Sequence, residues 1–483
     1  MTYRFSTHFR STIYQVMLER GWEDAGDSQD FDFAWLNKEE ISAAYTAQQS
    51  QKKYLINHYQ NHQMLSRKDL LAQNVQKCWK FIAKTNPTLA EEFKTIPLTF
   101  ILPENYSAFV RYAETRSDSV RVVSNGSTVG SVKRGQNVSR IPGIEKLPPR
   151  NDKTSQLADK PPQQLKRELS APNLEKPNIS RLTTNTGDKF IVKPACLLQG
   201  QGIFIATLPE IQTWYETEYQ KIKAESVEMD AKIAQSMFAQ YQKRGIQTTL
   251  QQIEQNFKSG HDLYLIQKYI ENPLLINGHK FDCRIYVLVK SFKPLNCYIC
   301  NEGFARFALK TYTSDDLSAH LTNVAIQKKA DDYDSDGDGA KWGLFQLFQY
   351  IQTQFGKQKA KQCQRNVEMT VLRTLQSVAN QMNQSKQSFE IYGFDVMLTS
   401  DLQVQICEVN ACPSLSADTK EDELVKKRML HDALSIEVDN KDQRVFGCFH
   451  QLFYGNVDEK DYNAGIVETG VLLGDQSNRC GTF

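Results

Sequence analysis

Hydrophobic and polar positions change period several times along this chain, and each change marks an element. Phe31-Asp32-Phe33-Ala34-Trp35 alternates with a period of two, which predicts a strand. Ser66 and Asp69 stand three apart ahead of Leu70, Leu71, Val75 and Trp79, a pattern that predicts a side-chain-capped helix start. Pro97 and Pro103 punctuate a short apolar run, 98–102, that reads as another strand. The span 5–112 is therefore expected to be a small mixed domain.

Beyond residue 188, short strands alternate with long helical stretches. Strands are predicted over 189–194, 202–206, 262–270 and 281–292, the last two rich in β-branched residues. A charged amphipathic stretch fills 208–244, with Gly245 placed to terminate it, and 342–382 is mostly helical by periodicity. Two strands, 389–399 and 402–409, follow, separated by a Ser-Asp turn. The fold class is α/β or α+β with antiparallel pairs, and no internal repeat is visible.

Composition changes this picture at one place. Residues 116–189 hold 14 Lys/Arg against 7 Asp/Glu and 7 of the chain's 15 prolines, with no Phe, Trp or Tyr. Such a segment cannot bury enough apolar surface to offset its ordering entropy, so it reads as a disordered basic insert. It is either a solvated linker or an electrostatic attractor for an acidic partner. Elsewhere 40% hydrophobic residues over 483 positions supply material for a full core and exclude a wholly disordered or fibrous chain. No apolar run reaches the roughly 18 residues of a spanning helix, and Met1-Thr2-Tyr3-Arg4-Phe5 lacks a secretory apolar stretch. A soluble intracellular protein is expected.

Ten scattered cysteines favour reduced thiols over a disulfide framework. Cys297 and Cys300 form a C-x-x-C, but in a strand-like run that turns them to opposite faces, with no second pair to complete a zinc site. His58 and His62 have helical metal spacing but no third ligand in view, so a structural role is expected. Asp334-x-Asp336-x-Asp338-Gly339 opens like a calcium loop, yet its twelfth position is Phe345 instead of a bidentate Glu.

The clearest chemistry lies on the last strand pair. Asp395 interrupts one apolar strand, while Glu408 and Asn410, two apart, share a face of the next. Carboxylates inside apolar strands are costly unless paired or liganded, and two carboxylates with an amide oxygen suit Mg²⁺ that carries nucleotide phosphates. Lys193-Pro194 followed by Gln199-Gly200-Gln201-Gly202 is a strand and a glycine turn able to approach a phosphate, although no P-loop sequence is present. Lys280, Asp282 and Arg284 occupy one face of a strand, either a solvated sheet face or the wall of a ligand cleft.

In order along the chain, these segments resemble the tubulin–tyrosine ligase-like family, a group with the ATP-grasp architecture. The resemblance rests on Asn57-His58-Tyr59-Gln60-Asn61-His62 with Ser66-Arg67-Lys68-Asp69-Leu70, on Ile191-Val192-Lys193-Pro194 and on Ile266-Gln267-Lys268-Tyr269-Ile270-Glu271-Asn272-Pro273. Two further strings complete it: His320-Leu321-Thr322-Asn323-Val324 and Glu408-Val409-Asn410-Ala411-Cys412-Pro413-Ser414-Leu415. The polyglutamylase branch, and within it the ninth ligase-like subgroup, is most similar. The resemblance implies that Lys193, Gln199 and Gly200 hold ATP phosphates. It implies that Gln267, Lys268, Tyr269 and Ile270 bind adenine, and that Lys280, Asp282, Thr322 and Asn323 complete the nucleotide site. It further implies that Arg306, Lys341 and Lys426 hold the incoming amino acid, that Arg284 steadies the reacting carboxylate, and that Asp395, Glu408 and Asn410 bind Mg²⁺.

By the same resemblance, the expected activity is ATP- and Mg²⁺-dependent addition of glutamate to glutamate side chains of acidic tubulin tails, through an acylphosphate. Free glutamate and microtubules are the implied partners, with accessory subunits also open, and neither nucleic acid nor a membrane is implied. The implied location is the cytoplasm and cytoskeleton, at a cilium, flagellar axoneme or basal body. A glycine ligase on the same fold and a non-catalytic microtubule-binding subunit are the alternatives. Gln201, where glutamylases often carry Lys or Arg, and Cys412, in place of the usual Ser, depart from the family pattern. Lys426-Lys427-Arg428 is read as a basic cluster near the acceptor. The expected divisions are an N-terminal mixed domain (1–115), the insert (116–189), a central subdomain (190–280), a C-terminal subdomain with the Mg²⁺ site (281–440) and a tail (441–483).

Overall fold

A computed structural model describes residues 3–48, 53–124, 188–197, 200–243, 249–251, 260–313, 317–322, 341–417, 419–439, 441 and 443–457. Three sheets organise them. The first has four short parallel strands in the order β2-β1-β3-β4: β1 (Arg4–Thr7), β2 (Glu23–Asp24), β3 (Phe33–Trp35) and β4 (Leu55–Ile56). Helices α1 (Thr12–Glu19) and α2 (Ile41–Gln48) connect these strands, and α3 (Gln63–Ser66), α4 (Lys68–Ile82) and α5 (Pro87–Glu92) follow. The expected capping pair does not form. Ser66 closes α3, Arg67 precedes α4 with no side-chain cap, and Asp69 is taken by the Arg67 guanidinium through two contacts of 2.8 Å.

The second sheet is antiparallel, in the order β5-β8-β6-β7: β5 (Thr99–Leu102), β6 (Lys189–Pro194), β7 (Phe204–Thr207) and β8 (Tyr264–Lys268). Its helices are α6 (Tyr106–Ser124), α7 (Leu208–Trp214) and α8 (Gln220–Lys243), the last two joined by a π-turn at Tyr215–Tyr219. Phe109, Phe190, Trp214, Tyr219 and Tyr264 form the aromatic core beneath it.

The third sheet has eight antiparallel strands. Its main order is β14-β13-β10-β11-β16-β15, with β9 on β10 and β12 on β11. The strands are β9 (Leu275–Ile276), β10 (His279–Phe292), β11 (Leu295–Phe307), β12 (Lys341–Gly343), β13 (Glu390–Leu398), β14 (Val404–Asn410), β15 (Val445–Phe446) and β16 (Phe449–Gly455). Its helices are α9 (Leu317–His320), α10 (Leu344–Phe355), α11 (Lys357–Ala379) and α12 (Lys420–Val438). Strand alternation gives each face its own core. Cys283, Ile285, Val287 and Val289 of β10 pack with Val371, Leu372 and Leu375 of α11, whereas Tyr286 and Leu288 pack with Phe5, Phe33 and Leu430. Cys297 and Cys300 likewise fall into opposite cores as buried thiols. The mixed α and β architecture with antiparallel pairs is as expected.

Three expected boundaries need correction. Strand β5 and helix α6, placed in the N-terminal unit, belong to the second sheet because β5 pairs with β8 from Thr99↔Gln267 to Leu102↔Tyr264. Helix α6 also runs on to Ser124, past the expected start of the insert; 125–187 lie outside the described residues. The division at 280 cuts β10, and β16, placed in the tail, completes the third sheet by pairing with β11 and burying Leu452 and Phe453. Among the described residues no helix is long and apolar enough to cross a membrane.

Candidate active site between the two antiparallel sheets

The second and third sheets face each other across an open cleft. Lys193 of β6, Gln267 and Lys268 of β8, then Tyr269 and Ile270 line it from one side. Lys280, Asp282, Asp395, Cys407 and Glu408 line it from the other, and His320, Leu321 and Thr322 close one end. Residues implied by the resemblance from six separate segments thus meet in one place. Gly200 lies in the connecting turn with φ of +75°, a left-handed conformation that suits glycine. Gln199 and Asn323 lie outside the described residues, as do 334–339 of the calcium-like run.

Cross-strand pairing arranges the charges. Lys341 on β12 stands opposite Arg306 on β11, and Arg306 stands opposite Asp282 on β10. Two residues along β10, Arg284 stands opposite Asp395 on β13, and Asp395 opposite Glu408 on β14. Arg306 Nε donates to Asp282 Oδ1 at 2.7 Å, and its terminal nitrogen lies 3.0 Å from Asp395 Oδ2. Arg284 donates to both oxygens of Asp395, at 2.6 and 3.2 Å, and Asn410 Nδ2 donates to Oδ2 at 3.3 Å. Burial opposes charge on Asp395, but the Arg284 and Arg306 guanidiniums outweigh it and hold the carboxyl far below the usual carboxylate range.

A β-bulge sets the direction of Glu408. Val396 pairs with Ile406 and Asp395 with Glu408, so Cys407 is the extra residue. Ile406 and Val409 both enter the core below, and Glu408 and Asn410 are turned to the cleft face beside Asp395. Among the described residues, three or more Asp, Glu, His or Cys side chains nowhere converge as a metal cluster. The donor set here is two carboxylates and an amide, which fits a small hard cation that keeps water and phosphate ligands and takes few protein ones.

The lysines are held by burial and by specific partners. Lys193 Nζ donates to Gln267 Oε1 at 2.8 Å, and Gln267 in turn donates to Thr99 Oγ1. Enclosure lowers the Lys193 pKa. Lys280 Nζ donates to the His320 carbonyl at 2.7 Å and lies 4.8 Å above the Tyr269 ring. Burial, with Lys193 adding to it, pushes Lys280 down to about 8.

Two side chains of the site escape a reading of the sequence. Lys68, at the start of α4, places Nζ 3.6 Å from Glu408 Oε2; only the tertiary structure, with α3 packed on β14 just before it, gives it this position. Asp422 on α12 binds both Lys426 and Lys341, and its i,i+4 spacing to Lys426 is the one signal the sequence offers. The expected basic cluster is not a bare cationic face. Lys426 is buried on Asp422, Lys427 pairs with Glu19 and Glu423, and Arg428 pairs with Glu302, because α12 packs these side chains against α1 and β11. His58 and His62 do not share a helix, since α3 begins at Gln63. His58 Nδ1 instead meets Glu390 at 2.6 Å in the buried core.

The chain also has recognisable relatives. A profile described as "Tubulin-tyrosine ligase family" matches residues 46–160 and 149–444. A Caenorhabditis elegans protein named "Probable tubulin polyglutamylase ttll-9" is 29% identical over 445 residues, covering 90% of this chain and 80% of its own. "Probable tubulin polyglutamylase TTLL9" of Rattus norvegicus is 28% identical over 455 residues, covering 92% and 82%. "Probable alpha-tubulin polyglutamylase Ttll1" of Tetrahymena thermophila is 28% identical over 455 residues, covering 90% and 86%. The two facing antiparallel sheets agree with the ATP-grasp-like fold expected of such ligases.

Proposed function

The chain belongs to the tubulin-tyrosine ligase family, and from that premise we propose that it is an ATP- and Mg²⁺-dependent ligase joining glutamate to glutamate side chains of tubulin tails. The observation that carries this reading is the charge row from Lys341 to Glu408, facing a cleft whose opposite wall holds Lys193. In this reading Lys193 belongs to a phosphate-binding wall, Asp395 and Glu408 of the same cleft are the hard oxygen ligands, and Arg284 and Arg306 stand beside them in the sheet.

The acceptor carboxylate, in this reading, takes the γ-phosphoryl group of ATP, leaving ADP and an acylphosphate, and the amine of the added glutamate then attacks the acyl carbon, losing a proton and expelling inorganic phosphate as the amide bond forms. Mg²⁺, held by Asp395, Glu408 and Asn410, supplies charge neutralisation on the phosphates. Lys193, Lys280 and Gln267 through Ile270 all line the cleft; in this reading the lysines meet the phosphates and backbone groups of 267–270 the base. Arg284, whose Nε and one terminal nitrogen are locked on Asp395, orients the acceptor carboxylate with its fixed positive charge. Arg306, Lys341 and Lys426 receive the incoming amino acid. Tubulin, free glutamate and a cytoskeletal location follow from this activity, with the cilium or axoneme as the expected site.

Incorporation of labelled glutamate and labelled glycine into microtubules, with Mg-ATP and Glu408→Gln as control, tests the proposal. Glutamate incorporation that vanishes in the control supports it. Glycine incorporation keeps the mechanism and replaces the donor. Silence with both, while ATP still binds, overturns the catalytic reading in favour of an accessory subunit.

A further inference from the structure

We infer that Asp422 is a positioning residue for the donor amino acid: it fixes Lys341 and Lys426 side by side as a two-ammonium seat for a carboxylate. The inference deepens the function proposed above and rests on it.

The geometry begins at the start of α12. Thr419 caps the helix and its hydroxyl accepts the Asp422 backbone N–H at 3.1 Å. This contact fixes Asp422 in the first turn, where the helix dipole favours a carboxylate. The side chain is 1% exposed. Lys426, one turn further on, reaches Asp422 Oδ1 at 2.8 Å and Oδ2 at 3.0 Å. Lys341 approaches the same Oδ2 at 3.3 Å from β12. Two ammonium groups from distant parts of the chain thus converge on one carboxylate.

Their floor is shared as well. Phe304 of β11 lies under both, 5.8 Å from Lys341 Nζ and 6.0 Å from Lys426 Nζ. Phe304 and Arg306 are two apart in β11, and Arg306 is the register partner of Lys341. The seat therefore borders the reaction centre. Arg306 is held by Asp282 and Asp395, and the lysine pair by Asp422, so three fixed cations stand next to one another where an anionic group of the donor would be received.

Without Asp422 the two ammonium groups lose the carboxylate that they share and repel each other, although Lys426 keeps its hydrogen bond to the Ser416 carbonyl at 2.5 Å. This defect weakens donor binding and leaves the nucleotide wall untouched, because no residue of the seat lines the cleft around Lys193 and Tyr269.

The test compares wild type, Asp422→Asn and Asp422→Glu in steady-state kinetics for whichever amino acid the wild type incorporates, together with nucleotide affinity. The expected result for Asp422→Asn is a KM for the amino acid raised by about tenfold or more, with kcat changed less than about threefold. Nucleotide Kd stays within about twofold, and Asp422→Glu recovers part of the loss. An unchanged KM, a parallel loss of nucleotide affinity, or no recovery in Asp422→Glu overturns the inference. Should Asp422→Asn fail to fold, Lys341→Met keeps the Asp422–Lys426 pair and must show the same rise in KM; an unchanged KM there overturns it. If the wild type incorporates neither amino acid, the proposed function fails, and the seat is read by saturation-transfer NMR with glutamate and a non-hydrolysable ATP analogue. Binding to wild type that is lost in Asp422→Asn supports the seat, and equal or absent binding overturns it.

Discussion

Arg284 and Asp395 stand directly opposite one another on adjacent antiparallel strands and meet through two contacts, Nε to Oδ1 at 2.6 Å and the terminal nitrogen to Oδ2 at 3.2 Å. Arg306 adds a third contact to the same carboxylate at 3.0 Å. A cation that binds Asp395 must share or displace these guanidiniums, so metal binding and the aim of both arginines are linked. The acid is buried, and its charge is compensated before any ligand arrives.

Asp395→Asn and Glu408→Gln are therefore expected to differ. The first leaves two buried guanidiniums short of an anion and costs about 3–5 kcal/mol of stability. The second removes a partly exposed carboxylate 3.6 Å from Lys68, at a cost of about 1 kcal/mol or less. On the proposed function, both variants are expected to lose the Mg²⁺-dependent part of a melting-temperature rise with ATP. Thermal melts with and without Mg-ATP check this; an Asp395→Asn baseline equal to wild type would contradict it.

Gly393 has no room for a side chain. A Cβ there meets Pro413 Cβ at 2.9 Å and the Arg284 side chain at 3.1 and 3.2 Å. Gly393→Ala pushes Arg284 off Asp395, costs about 1–3 kcal/mol by overpacking and lowers turnover more than nucleotide affinity. Chemical denaturation paired with nucleotide binding reads both effects, and wild-type turnover in the variant would refute the steric account.

Lys280 titrates near pH 8 in the ligand-free protein because burial disfavours its charge. Phosphate favours the charged form, so a nucleotide bound as proposed would draw a proton onto Lys280 once the pH exceeds about 8. Affinity then falls as pH rises, by up to about tenfold per unit, until the pKa of the bound state is reached. Calorimetry in buffers of different ionisation enthalpy should show proton uptake at pH 9 that Lys280→Met abolishes.

The His58–Glu390 pair makes stability fall with rising pH. Burial opposes the imidazolium, but Glu390 at 2.6 Å and the neighbouring Cys412 sulfur outweigh it and raise His58 from 6.5 to about 10. A raised folded pKa gives stability that is fully present below pH 6.5 and is lost as pH climbs through 10. His58→Asn leaves Glu390 buried with, among the described residues, the Tyr59 N–H and the Tyr392 hydroxyl as its native donors. It should cost about 3 kcal/mol or more at pH 6 and much less at pH 10. Urea unfolding of both proteins at the two pH values decides; an equal deficit at both would rule out titration of His58.

Much of the fold was legible because its elements are locally determined. Strand β6 spans 189–194 as its apolar run predicts, and α10 and α11 fill the helical stretch 342–382. The pairing of β5 with β8, and the return of β16 to the third sheet, were not legible. Partners so far apart in sequence leave no local pattern, and the basic stretch between β5 and β6 hides their continuity.

The site divides in the same way. Asp395, Glu408, Asn410 and Lys280 stand out in the sequence because charged or polar groups in apolar strands need a partner or a ligand. The local pattern fixed residue types and approximate faces. Only the tertiary structure decided their direction. Strict alternation from the buried Ile406 would send Glu408 into the core, and the bulge at Cys407 returns it to the cleft opposite Asp395. The same holds for Asp422, which is an ordinary helical i,i+4 partner of Lys426 until β12 brings Lys341 to it from 81 positions away. Face alternation is a property of one strand, but register, bulges and the neutralisation of buried charge belong to pairs of strands, so they are settled only when the sheet closes.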